Sequence, residues 1–272
     1  MRRMQSDGYK NYMDKKKKQK RNLLITQILL LVGIIVFWEL FAHLGWINTF
    51  LVSYPSKIWT LFLQYVQDGT LWTHISVSVW ETFLGLTIGT SLGILIAIML
   101  WSSEKLAKIL DPFLVVLNAL PKTALAPIII VWVGPGVKGI VVIAVMISLV
   151  ATILSAYNYF INVEEDKVKM LKSFGATKYQ ILTKLILPAN IGNLINITKI
   201  NIGLSWVGVI VGEFLVSRAG IGYLIMYGGQ VFRLDLVMMG VIVLAICALV
   251  MYQMLNFVEK LYYAKSNTNK PH

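Results

Sequence analysis

The chain has 272 residues, of which 57% are hydrophobic and 14% charged, with mean hydropathy +0.70 and a formal net charge of +12. Soluble domains carry about 25% charged residues, so this composition excludes a water-soluble globular fold and implies one embedded in lipid. The single cysteine, Cys247, lies in an apolar run, which excludes an intrachain disulfide and a cysteine-based metal site.

Residues 1–22 form a basic segment, and the apolar stretch after it has no small-residue cleavage pattern, so it reads as a retained anchor. A helix needs about 20 apolar residues to cross about 30 Å of hydrocarbon. Runs of that kind cover 23–42, 77–101, 110–133, 139–157, 191–216 and 236–258, which predicts an all-α membrane protein with about six transmembrane helices. With both termini in the cytoplasm, nineteen Lys and Arg fall on inside segments and only Lys57, Lys138, Arg218 and Arg233 outside. The positive-inside rule therefore sets N-in, C-in, and the net charge is topology and attraction to anionic lipid. The Lys15 to Lys18 run has no stacking aromatics and leads straight into a span, so no nucleic-acid role is expected.

In chain order, Tyr54-Pro55-Ser56 opens a helix, since proline suits the first turn. Trp46, Tyr54, Trp59 and Trp72 read as interface anchors or a docking surface. In the second span Gly85, Gly89 and Gly93 repeat every four residues, a face along which another helix can approach closely. Ionisable residues within spans are costly and tend to face a protein interior or wet cavity; these are Glu39, Glu81, Lys122, Lys199 and Glu213, with Glu39 and Glu81 read as close to the outer interface. Lys122 lies between Pro121 and Pro127 in what reads as a broken helix. Pro121, Lys122, Pro127 and Glu213 are candidates for a translocation pathway, the alternative being pairing within a dimer interface.

Residues 162–188 are too polar for the bilayer yet patterned as two short helices. Val168, Leu171 and Phe174 form one apolar stripe; Gly175 stops the first helix; Thr177 with Gln180 makes a capping box for the second. Ile181, Leu182, Leu185 and Ile186 give the second helix its own stripe, and Pro188 closes the unit. Such a pair suits docking to a cytosolic partner or lying on the lipid surface.

This loop resembles that of the inner-membrane permeases of binding-protein-dependent ABC importers, in the branch that includes nitrate, sulfonate and taurine permeases. The family carries a Glu-Ala-Ala tripeptide, a Gly three positions after it and an Ile-x-Leu-Pro ending. Gly175, Ala176, Leu185, Leu187 and Pro188 match in type and spacing. Lys169, Met170 and Leu171 occupy the tripeptide, which puts the family's ion pair with its ATPase in question but not the docking role. The stretch Leu120-Pro121-Lys122 with Ala124, Pro127, Trp132, Gly134 and Gly136 is similar to the branch's third span, and residues 209–225 with Glu213, Gly220, Gly222 and Tyr223 to its fifth.

The resemblance implies a type I ABC importer permease fold in a bacterial plasma or inner membrane. It implies a transmembrane permease domain over 23–258, a cytoplasmic coupling loop over 160–190 and a cytoplasmic tail over 259–272. Its ATPase-coupling residues would be Lys169, Met170, Leu171, Phe174, Gly175, Ala176, Leu185, Leu187 and Pro188. Partners would be a cytosolic ABC ATPase dimer, an extracytoplasmic substrate-binding protein and a second copy of the permease. The cargo would be a small solute, an organic or inorganic anion of the sulfonate, taurine or nitrate type or a related metabolite. No phosphate-loop motif occurs in the chain, so ATP and Mg would be held by the ATPase, and no cofactor or catalysis is expected here. His43, His74 and His272 lack metal-ligand spacing, and no Ser, His and Asp grouping suggests covalent chemistry. Two rival classes are a gradient-driven secondary transporter, which would show inverted repeats or a carboxylate chain, and a membrane enzyme, which would show a reactive cluster at one depth.

Overall fold

The structure, a computed structural model, describes residues 2–268, with side chains described over 12–262; His272 and the last residues of the 259–272 tail lie outside these. All regular elements among the described residues are helical, and the chain forms two compact units, residues 1–64 and 65–272.

In the first unit α1 (Arg2–His43) runs without interruption through the basic segment and the first apolar run, so the 22/23 boundary read from composition falls inside one helix. The turn after it uses Gly45 at φ +73°, and Asn48 caps α2 (Thr49–Val52) by accepting the Phe50 N–H at 3.0 Å. Pro55 begins α3 (Pro55–Gln67), as its fixed φ and missing N–H favour. Glu39 accepts the Ser56 N–H at 3.0 Å and the Ser56 hydroxyl at 2.7 Å, placing a carboxylate at the positive end of α3. His43 bonds to the same carboxylate at 3.0 Å, so Glu39 serves to tie α3 back onto α1.

The second unit is built from α4 (Thr70–Ser102), α5 (Glu104–Ala119), a 3-10 turn (Lys122–Leu125), α6 (Ala126–Val133) and α7 (Val137–Ile161). It continues through α8 (Glu165–Ser173), α9 (Lys178–Ile181), a π-helical turn (Leu182–Ile186), α10 (Leu187–Val216), α11 (Ile221–Gln230) and α12 (Leu234–Thr268). Among the described residues five helical stretches are long and apolar enough to span a membrane, or six when α5 and the 122–133 segment count as one. That sixth span is broken at the position Pro121 marks: its halves are bent by 86°. The cause is local. Leu120 is forced into the extended region ahead of Pro121, whose ring clashes with a helical predecessor.

The core is organised around α7. Gly85, Gly89 and Gly93 of α4 lie against Ala144, Ser148 and Thr152 of α7, three small residues at the same four-residue spacing. A Cβ on Gly85 would sit 2.6 Å from the Ala144 Cβ, and one on Gly93 2.6 Å from the Thr152 Cβ, so glycine is required for this approach. α10 in turn brings Gly208 onto Ala144 and Gly212 onto Ile140. Asn201 of α10 then donates to Thr90 on α4 at 2.8 Å and to Thr152 on α7 at 2.7 Å, pinning all three helices with one buried amide.

Placing bulk in this seam has a predictable cost. Gly85→Leu must displace α7 and is expected to destabilise by ~1–3 kcal/mol. For a domain of this size that lowers the melting temperature of the purified protein by roughly 5 °C. Gly33→Leu in α1, where a Cβ meets nothing within 4 Å, should leave it unchanged.

Candidate functional site

The polar loop is a defined helix pair. α8 carries Glu165 and Asp166 in its first turn and Lys172 in its last, the arrangement a helix dipole favours. It ends in a Schellman motif: Gly175 at φ +77° donates to the Lys172 carbonyl at 2.9 Å, and Ala176 donates to the Leu171 carbonyl at 3.0 Å. The next helix starts at once. Thr177 Oγ1 accepts the Gln180 N–H at 3.3 Å while Gln180 Oε1 accepts the Thr177 N–H at 2.8 Å, a complete capping box.

Two expectations for this loop are corrected. Pro188 does not close the unit: residues 178–216 form one continuous helical stretch of 39 residues, so the second loop helix and the span after it are a single rod. Pro188 is accommodated in the first turn of α10 behind the π-helical turn, where the Leu187 N–H reaches the Leu182 carbonyl five residues back. The wider winding precedes the position where proline supplies no N–H. Nor does Phe174 continue the stripe of Val168 and Leu171. It caps α8, where the chain leaves the helical period, and is 80% exposed.

The loop residues consequently divide between two faces. Leu171, Ala176, Leu185 and Leu187 pack with Val168, Ile181, Leu182 and Ile186 onto Ala97 of α4, Ala156 and Phe160 of α7 and Ile197 of α10. Lys169, Met170, Phe174, Gly175 and Pro188 face outward, joined by Tyr179, which is 74% exposed. Sequence reasoning missed Tyr179, although its place between the cap and the first apolar residue of the next stripe was a usable signal. Lys178 donates to the Ser102 carbonyl at 3.3 Å, a cation at the C-terminus of α4 that fixes the loop to the second span. Lys169 pairs with Glu165 at 3.0 Å within α8.

The four pathway candidates are not gathered into one site. Pro121, Lys122 and Pro127 lie at the break of the bent span, where Lys122 Nζ donates to the Asn118 carbonyl at 3.2 Å. Around the break the bent span presents Phe113, Val116, Leu120, Val131 and Trp132 outward. Glu213 is elsewhere and 1% exposed: it accepts the Ser78 hydroxyl at 2.5 Å and the Gly222 N–H at 2.5 Å. Glu81 is buried beside Glu213. Lys199 pairs with Glu259 of α12 at 2.6 Å and lies over the Tyr252 ring, so it braces α10 against α12.

Comparison with known proteins agrees with this architecture. Residues 89–263 match the family described as the binding-protein-dependent transport system inner membrane component. Over 232 residues the chain is 27% identical to SsuC of Bacillus subtilis (strain 168), named for aliphatic sulfonates transport as a permease protein; the match covers 85% of this chain and 84% of that one. It is 25% identical over 231 residues to the taurine transport system permease protein TauC of Escherichia coli (strain K12), covering 82% and 84%. Among solved structures it is similar to a bacterial ABC transporter involved in import of the acidic polysaccharide alginate, with TM-score 0.63, 15% identity, and coverage of 90% and 97%. The chain belongs to the binding-protein-dependent transport system inner membrane component family. It is a multi-pass membrane permease with the type I ABC importer fold, and it acts as the permease subunit of an ATP-driven importer.

The capping box gives a local test. Thr177→Ala removes one of its two bonds and costs about 1 kcal/mol. Hydrogen exchange of the Lys178–Ile181 amides should then quicken about fivefold while that of α8 stays as it is.

Proposed function

We propose that the chain works as a homodimer whose two 160–190 loops each dock into a cytosolic ABC ATPase, while an extracytoplasmic binding protein delivers a small anion of the sulfonate or taurine class. The observation that carries this reading is the two-faced helix pair. Its inner face is fixed to α4, α7 and α10, and its outer face presents Met170, Phe174 and Tyr179 at a tip held by the Schellman motif and capping box. A pair that lay on lipid would need its apolar stripes toward the bilayer, and these are already spent on the chain's own helices. Large exposed aromatic and methionine side chains on a rigid tip fit a groove on a partner protein.

ATP and Mg belong to the ATPase, because this chain supplies no phosphate loop. Closure of the ATPase dimer moves the two tips, and the permease alternates between inward and outward access. Lys122 at the break of the bent span, a cation whose Nζ donates to the Asn118 carbonyl and side-chain oxygen, is the residue we assign to the pathway of an anion. The exposed apolar face of that span meets the second copy. The substrate class rests on the names of the relatives, since specificity in such a system lies largely with the binding protein.

Phe174→Ala is expected to weaken capture of the ATPase by the tagged permease about 30-fold, the ~2 kcal/mol of an aromatic anchor. Gly175→Pro should abolish capture by breaking the turn, with membrane insertion normal. Wild-type permease that captures no ATPase, while uptake persists on an ion gradient alone, would replace this reading with secondary transport.

A further inference from the structure

Four consecutive backbone amides at the start of α11 are taken by side chains or a carboxylate from two other helices. The Gly220 N–H goes to His74 Nδ1 at 3.0 Å, and the Ile221 N–H to the Ser78 hydroxyl at 2.7 Å. The Gly222 N–H reaches Glu213 Oε2 at 2.5 Å, and the Tyr223 N–H turns to the same carboxylate. Ser78 is the bridge: its hydroxyl accepts from Ile221 and donates to Glu213 Oε1 at 2.5 Å. His74 and Ser78 stand one turn apart on α4, Glu81 follows on the same helix beside the Glu213 carboxyl, and the His74 ring stacks on Tyr223. Helix N-termini leave four N–H groups without intrahelical partners, and here the chain's own side chains take them.

The two glycines of this turn exist because the carboxylate does. Gly220 holds φ +122°, and a Cβ there would enter the Glu213 carboxyl group; a Cβ on Gly222 would sit 2.7 Å from Glu213 Oε2 and 3.2 Å from the Ile210 carbonyl. The carboxylate thus occupies the space that any other residue at these positions would need.

Glu213 sits near the far end of the 178–216 rod, whose other end is the capping box of the cytoplasmic loop. At 1.5 Å per residue, 39 residues extend about 58 Å, well beyond the ~30 Å of hydrocarbon. The loop tip and the α11 clasp are therefore opposite ends of one stiff element.

We infer that Glu213 and Ser78 are positioning residues: they clamp α11 to the end of the α10 rod and to α4, so that movement of the cytoplasmic loop is delivered to the extracytoplasmic face. Glu213 acts through α11 instead of lining the path of the solute. This rests on the docking role proposed for the loop. Without the clamp the ATPase still docks and turns over, but the extracytoplasmic face no longer reports to it, and stimulation by the binding protein is lost.

The experiment is reconstitution of the permease, ATPase and binding protein in liposomes, comparing wild type with Ser78→Ala and Glu213→Gln. Expected for both variants is retained ATPase association and basal hydrolysis within twofold of wild type. Binding-protein stimulation and uptake should each fall at least tenfold, with Ser78→Ala the milder. Uptake and stimulation within twofold of wild type in both variants overturns the inference. So does a parallel loss of ATPase association, basal hydrolysis and uptake in both, which marks a role in folding alone. Wild-type permease that fails to bind the ATPase sinks the docking reading first, an outcome visible before either variant is assayed.

Discussion

Three helices of the second unit meet almost without side chains between them, and the rest of the unit depends on that contact. α7 meets a glycine face of α4 and a glycine pair on α10, with Ala144 touched by both. In lipid no hydrophobic effect drives helices together, so association relies on close packing and on polar bonds across the seam. The glycines provide the first and Asn201 the second, with both of its donor bonds made inside the core. Once these backbones are so near, α4 and α10 are held antiparallel in a fixed register, and Ser78 opposite Glu213 follows the same register as Thr90 opposite Asn201. The clasp at α11 is thus a consequence of the seam as much as an addition to it.

The same seam decides where the molecule can and cannot flex. Helices packed on glycine cannot slide without collision, since even a methyl group finds no room there. Compliance is left to the 86° break at Pro121, in the bent span that carries Lys122. A rigid centre with a bend at this place suits a device that rocks between two states.

Much of this was legible in the sequence, and the limits are instructive. Hydropathy located every span to within a few residues at one end or both, because a stretch of about twenty apolar residues has few other readings. Gly175, Thr177 and Gln180 announced the loop turn, since Schellman and capping-box geometry are local and written in adjacent residues. Pro121 likewise marked its break. Pro188 misled because proline disrupts a helix interior yet is tolerated in a first turn, and the sequence does not show which of these a given turn will be. Phe174 misled because helical periodicity was carried one residue past the point where Gly175 had ended it. Ser78 and His74 carried no signal at all. A serine and a histidine one turn apart on an apolar span become meaningful only when residues about 140 positions later fold against them.

Glu213 shows how burial changes the meaning of a charged residue in a membrane span. An intramembrane carboxylate is costly to keep without partners, which is why such residues point to function. Here the cost is offset by the Ser78 hydroxyl and by amides that α11 would otherwise leave unsatisfied, so two deficits cancel at one place. A solute could not use this carboxylate without first opening the turn that fills it. The residue's charge therefore serves the geometry of α11, and the pathway we propose is left to the bent span, where Lys122 donates to the Asn118 carbonyl and amide oxygen.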